Sequence, residues 1–213
     1  MGAKMSRCVI LAAGPVSDAD GLRAYLRADD WFVAADGGLA LAKRLGVTPA
    51  AVAADFDSGR REDAEAAGAE LLRLPVEKDF TDTMAAASLA LDKGFREFLI
   101  LGGTGGRLDH TLANIAVLQY LHNRGAVGWI GDEHTLVRLY SPGNYEIPSQ
   151  SCHFSLIPYG GPAEGITLQN AVYPLNDAIL SMETSLGVSN EFMAKPLGFS
   201  FKKGFLLFFL SKD

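Results

Sequence analysis

Residues 98–114, FLILGGTGGRLDHTLAN, constrain the fold more than any other stretch of this 213-residue chain. The apolar run Phe98, Leu99, Ile100, Leu101 reads as a buried strand. It ends in glycines on either side of Thr104, then presents Arg107, Asp109 and His110 where an amphipathic helix begins. Strand, glycine turn and charged helix start form the anion-binding geometry of α/β proteins. The glycines, Gly105 and Gly106 among them, let backbone N–H groups approach a ligand, and the helix N-terminus adds partial positive charge. Arg107 adds a planar fork suited to phosphate oxygens. Neither common nucleotide fingerprint fits: GxxxxGK[ST] is missing, and Leu108 stands where the third glycine of GxGxxG belongs.

The same grammar runs through the first 130 residues. Apolar runs at Cys8–Ala13, Phe32–Ala35, Val52–Ala54, Leu71–Leu74, Glu97–Leu101 and Val127–Ile130 predict strands. Helical patterns at Asp20–Arg27, Leu39–Leu45, Arg60–Ala67, Thr83–Lys93 and Leu112–Arg124 fall between them, with Thr81 or Asp82 as the cap of the fourth. This alternation predicts an α/β domain over residues 1–131, a mostly parallel, Rossmann-like sheet with helices on both faces. After Gly131-Asp132 the pattern changes to short alternating or aromatic runs: Leu136–Tyr140, His153–Ile157, Gly165–Leu168, Ala178–Met182, Gly198–Phe201 and Phe205–Leu210. With turn signals at Ser141–Asn144 and Tyr159–Pro162, they predict an all-β sandwich or barrel over residues 132–213.

A net charge of −6, with no basic run beyond Lys202-Lys203, argues against nucleic-acid binding. No apolar stretch is long enough to span a membrane, and the N-terminal one is too short for a signal peptide. Cys8 and Cys152 match no metal spacing and read as buried, reduced thiols of a cytoplasmic protein. Four histidines without HxH or HExxH spacing make zinc a poor expectation.

In an open α/β sheet the ligand crevice lies beyond the carboxyl ends of the strands. The polar clusters fall there in succession: Asp36, then Asp55 and Asp57, then Lys78, Asp79 and Asp82, then Arg107, Asp109 and His110. Asp55 and Asp57, two apart in an extended segment, point the same way and repel unless a cation lies between them. With Asp82 they make a set suited to Mg²⁺. Taken singly, Asp57 and Asp82 are equally suited to capping the helices that follow. Lys78 and Arg107 would neutralise phosphate charge. Asp36, beside Gly37 and Gly38, suits a ligand hydroxyl or amine as well as a plain turn. His110 suits a nucleotide contact or a helix cap.

With these residues assembled, the chain resembles the thiamine pyrophosphokinase family over nearly its full length. The likeness rests on ADGGLALAKRLG, ADFDS, EKDFTDT, GGTGGRLDHTLANI and SLGVSN, in the family's order and spacing. The resemblance implies a catalytic α/β domain, a thiamine-binding β-sandwich and a homodimer whose sites lie between subunits. The implied reaction moves a pyrophosphoryl group from ATP to thiamine. In it Asp55, Asp57 and Asp82 would hold Mg²⁺, and Arg107, Asp109 and the glycine turn, with Lys78, would contact the nucleotide phosphates. Asp82 or Asp109 would accept the hydroxyl proton. Ser185, Ser189 and Asn190 would face thiamine. Phe208 stands where some members place a Trp over the pyrimidine ring, and Ala54 replaces a Gly often found before DFDS. The competing expectations are a thiamine or nucleotide sensor without turnover, and a Mg²⁺-dependent phosphotransferase acting on another pyrimidine alcohol.

Overall fold

Parallel strands covered on both faces must be apolar along their length, and the first half of the chain is built on such runs. The computed structural model describes residues 6–54, 69–73 and 80–212, so the expected helix Arg60–Ala67 lies outside the described residues. The chain divides into two compact units, Met1–Glu133 and His134–Asp213.

In the first unit, β1 (Cys8–Leu11) and β3 (Ala51–Ala54) are buried throughout. β2 (Trp31–Ala35), β4 (Glu70–Arg73), β5 (Glu97–Leu101) and β6 (Val127–Gly131) complete a sheet of order β4-β3-β2-β1-β5-β6. Every neighbouring pair in it is parallel. The chain travels outward from β1 to β4, then returns to lay β5 on the other side of β1. Leu11 pairs with Leu101, so β1 and β5 end side by side where the strand order reverses. That reversal opens a crevice at the carboxyl ends of the two strands.

The expected first helix is shorter than its pattern. A single turn, α1 (Ala19–Leu22), runs into a 3₁₀ turn over Arg23–Tyr25, because the segment carries Gly21 and is too short to sustain a longer helix. α2 (Gly38–Leu45) ends on Gly46 in the left-handed region. α3 (Asp82–Asp92) buries Ala86, Ala87 and Ala90 completely. α4 (Leu108–His122) begins a turn earlier than expected, since Leu108 and Leu112 are exposed and the first turn carries no apolar period. Beneath the sheet's other end, Arg7 donates to both Asp30 oxygens, at 2.9 and 2.7 Å, and to the Tyr25 carbonyl at 2.6 Å.

The second unit is antiparallel among its described strands. β7 (Thr135–Tyr140), β8 (Gly143–Ile147), β9 (His153–Gln169), β12 (Leu197–Phe201) and β13 (Lys203–Ser211) follow the order β7-β13-β9-β12-β8. β10 (Ala178–Leu180) and β11 (Asn190–Glu191) both add to β9. Tyr159–Pro162, expected as a turn, instead lies inside β9. There Gly160 and Gly161 take φ of 73° and 154°, and the strand bends rather than reverses. Its first half pairs with β13 and its second with β12. The core is aromatic: Phe208 stacks on Phe154 and Phe199 with ring centroids 5.7 and 5.6 Å apart.

Candidate functional site

Around the carboxyl ends of β1 and β5, a cleft of about 330 Å³ is lined by Ala12–Pro15, Ala35-Asp36, Thr81–Thr83, Gly102–Arg107, His110 and Asn114. Backbone bonds stitch its two central loops together. The Ala12 N–H donates to the Leu101 carbonyl and the Gly14 N–H to the Gly102 carbonyl, both at 2.8 Å. Any Cβ at position 14 would run into the carbonyl oxygens of Gly102 and Thr104. The glycine turn is then held at two further points. The Asn114 side chain, buried at the turn's back, donates to the Gly103 carbonyl at 2.8 Å, and the Thr104 hydroxyl donates to Asp132 at 2.8 Å. Gly105, at φ 76°, supplies a backbone conformation that other residues adopt only with strain.

The turn delivers Arg107 to the position before α4, where its side chain makes no capping bond. Its Nε and one Nη instead donate to the two Asp109 oxygens, at 3.1 and 2.6 Å. The side-chain hydrogen bond holds the Arg107 pKa above its ordinary value and, against an opposing effect of desolvation, holds the Asp109 carboxyl below its own. Both side chains are well exposed, 72% and 64%, so this local pair orients the fork more than it stabilises the fold. Asp109 does not itself line the cleft; it sets the direction of Arg107, which does.

Asp36 closes β2 in the left-handed region, at φ 47°, with its N–H bonded to the Ala53 carbonyl at 2.9 Å. A non-glycine residue in that region is uncommon and concentrates at ligand sites. The cap of α3 is Thr81, whose hydroxyl accepts from the Met84 N–H at 3.2 Å. Asp82 therefore occupies the first turn rather than the cap, and it lines the cleft. His110 also lines it. Asp55, Asp57 and Lys78 lie outside the described residues. Among the described residues, no group of three or more His, Cys, Asp or Glu side chains is set to hold a metal.

Sequence reasoning overlooked one wall of the cleft, Ala12–Pro15, and the buried amide of Asn114. The signal for the first was a run of small residues, AAGP, directly after an apolar strand. Asn114 carried none, because a polar residue one turn along a helix looks like any exposed position.

In the second unit, the 184–190 loop lies against β9. The Leu156 N–H donates to the Gly187 carbonyl at 2.8 Å, and the Ser189 N–H donates to the Ser155 hydroxyl at 3.0 Å. Beside it is a smaller cavity of about 160 Å³, lined by Thr184, Ser185, Gly187 and Val188 with Leu156–Pro158 and Leu180–Met182. Ser185 faces this cavity; Ser189 and Asn190 are not among its lining residues. Asn190 turns inward: its Oδ1 accepts from the Tyr173 N–H at 3.0 Å and its Nδ2 donates to the Tyr173 carbonyl at 2.7 Å, so both ends of its amide are bonded within the unit. Phe208 is also corrected. It is 0% exposed, stacked within the aromatic core on the central strand β13, and cannot offer a face to a bound ring.

Residues 22–127 match the model of the thiamin pyrophosphokinase catalytic domain, and residues 144–206 that of the thiamin pyrophosphokinase vitamin B1 binding domain. The thiamine pyrophosphokinase of Bacillus subtilis is 31% identical over 96% of this chain and 98% of its own length. A crystal structure of the Bacillus subtilis thiamine pyrophosphokinase superposes with a TM-score of 0.86 at 29% identity, covering 98% of this chain and 100% of that one. The thiamin pyrophosphokinase of Geobacillus thermodenitrificans superposes at 0.84 and 29% identity, over 97% and 98% of the two chains. Yeast thiamin pyrophosphokinase, at 15% identity, keeps the fold with a TM-score of 0.82 over 99% of this chain and 87% of its own. With both domain models matched in order and a full-length relative at this identity, the chain belongs to the thiamine pyrophosphokinase family.

Proposed function

We infer that this chain is a thiamine diphosphokinase, transferring a pyrophosphoryl group from ATP to the hydroxyethyl oxygen of thiamine and releasing AMP. The observation that carries the reading is the cleft at the strand-order reversal, where a bonded glycine turn, a helix N-terminus, Arg107 and two carboxylates converge in a chain of this family. The triphosphate lies along the glycine turn, where backbone N–H groups and Arg107 stabilise charge on the phosphoryl oxygens. The thiamine hydroxyl attacks the β-phosphorus in line, and AMP leaves. Asp82, on the wall of the cleft, or Asp109, bonded to Arg107 beside it, would accept the hydroxyl proton.

Asp55, Asp57 and Asp82 would hold Mg²⁺. The described part of the set fits: Asp82 lines the cleft from the first turn of α3, behind the Thr81 cap, and β3 ends at Ala54, one position before Asp55. Bound there, the ion supplies charge neutralisation at the phosphate oxygens. Thiamine contacts fall to the 184–190 loop, with Ser185 at the small cavity and Ser189 exposed beside it. Exposed apolar side chains between residues 172 and 193, including Tyr173, Ile179 and Met182, support a homodimer, in which the sites would be shared between subunits. A Rossmann-like unit with helices on both faces, a sandwich-type second unit and a cytoplasmic location complete the reading.

The test is product analysis with ATP, Mg²⁺ and thiamine. Equal amounts of AMP and thiamine diphosphate are expected. ADP with thiamine monophosphate would overturn the reaction while keeping the site, and thiamine binding without product would make the chain a sensor. A folded Asp57→Asn variant should lose at least about a hundredfold in turnover, since one carboxylate of a shared cation site is removed. An undiminished rate in that variant refutes the metal assignment.

A further inference from the structure

The wall of the cleft that follows β1 is held from both sides by side chains outside the cleft. On one side is Glu133, two residues beyond the end of β6. Its Oε1 accepts from the backbone N–H and hydroxyl of Ser17, the latter at 3.0 Å, and from the Asp18 N–H at 2.9 Å. On the other side is Arg44, in the last turn of α2, which donates to the Val16 carbonyl at 2.6 Å and the Ser17 carbonyl at 3.2 Å. A loop whose N–H groups point to a carboxylate and whose carbonyls point to a guanidinium has its peptide planes fixed in direction, not only its position. Beside Glu133, Asp132 accepts from Thr104 and so holds the glycine turn opposite. The consecutive residues Asp132 and Glu133 thus fasten both lips of one cleft to the end of one strand. Pro15 lies between the lips: a Cβ built on either Gly105 or Gly106 would meet its ring first. Any drift of the 14–18 loop therefore moves a wall against which the glycine turn is seated.

We propose that Glu133 and Arg44 are positioning residues for ATP, locking the Gly14–Asp18 loop so that the glycine turn keeps its phosphate-binding shape. The proposal rests on the cleft being the ATP site. Neither residue lines the cleft, so both act through the loop. Glu133 is suited to the task at any physiological pH. Partial burial alone would raise its pKa, but the hydrogen bonds from Asp18 and Ser17 outweigh that and bring it to about 2.

The experiment compares wild type, Glu133→Ala, Glu133→Gln and Arg44→Ala by steady-state kinetics and by backbone hydrogen exchange. Loss of a charge-assisted hydrogen-bond set should raise KM for ATP about tenfold in Glu133→Ala and several-fold in Arg44→Ala, with kcat and KM for thiamine within about twofold. Glu133→Gln keeps an acceptor oxygen and should recover much of the loss. Exchange at the Ser17 and Asp18 amides should quicken in Glu133→Ala, with that at Gly103–Gly106 following. A folded Glu133→Ala protein with unchanged exchange overturns the locking. Faster exchange with an unmoved KM for ATP overturns its bearing on the nucleotide. Failure of the ATP reading itself shows separately, as a wild-type protein that neither binds ATP in calorimetry nor releases AMP, and the locking is still decided by exchange.

Discussion

Arg107 and Asp109 pair with each other across two residues, and this bears on how the cleft handles charge. A guanidinium aimed by a neighbouring carboxylate keeps its fork in one plane while both groups stay largely exposed. Arg107→Lys keeps the charge and loses the fork. Turnover should fall about a hundredfold while the melting temperature holds, because an exposed pair adds little stability. A lysine variant with native kcat would remove Arg107 from the phosphate site. The Arg7–Asp30 pair is different, since it is almost wholly buried. Asp30→Ala leaves Arg7 charged and unpaired, a loss of about 3–5 kcal/mol readable in urea unfolding. Neither pairing was legible in the sequence. Arg107 was singled out through its glycine context and Asp109 through its place at a helix start, but the bond between them depends on side-chain rotamers. Arg7 and Asp30 stand 23 positions apart and meet only because β1 and β2 pair.

Strands were read more faithfully than helices, and the reason is physical. Largely buried parallel strands leave continuous apolar runs, so β1, β2, β3, β5 and β6 stand out from their surroundings. Helix α4 begins with a solvated turn that has no apolar period, and α1 is too short to show one. β9 misled because glycine and proline mark turns in most contexts, whereas here they bend a strand between two partners. The start of α3 was legible to within one residue: the sequence offered Thr81 or Asp82 as its cap, and Thr81 is the cap, with Asp82 in the first turn on the cleft wall. Thr81→Ala should cost about 1 kcal/mol by loss of that cap. It should also raise KM for ATP modestly as the first turn frays, and denaturant unfolding beside initial rates separates the two effects. In the second unit, Phe208→Trp tests the corrected assignment. A fully buried ring already stacked on two others has little room to grow, so the larger indole should destabilise by about 1–3 kcal/mol without improving KM for thiamine.

Across the whole molecule, stability at low pH follows from how its 25 acidic and 19 Lys and Arg side chains titrate. Below the isoelectric point of about 5.2 the chain grows steadily more positive, and general self-repulsion erodes the fold. Glu133 contributes a separate, local part. Its carboxyl titrates near 2 in the folded chain against an ordinary value of 4.5, so the folded state favours its ionised form. The unfolded state binds its proton first as pH falls. The stabilisation is therefore complete above about pH 4.5 and lost as pH drops through the folded value near 2. Because the group is largely solvent-screened, the amount is on the order of 1 kcal/mol and not the full linkage value. Glu133→Gln removes this part while leaving the rest of the acid limb in place. Urea unfolding from pH 2 to 7 should give a difference between wild type and variant that is constant above about 4.5 and closes towards 2. A difference that persists at pH 2 would mean Glu133 stabilises by packing rather than by its charge, and the charge-assisted part of its hydrogen-bonded hold on the 14–18 loop would have to be abandoned.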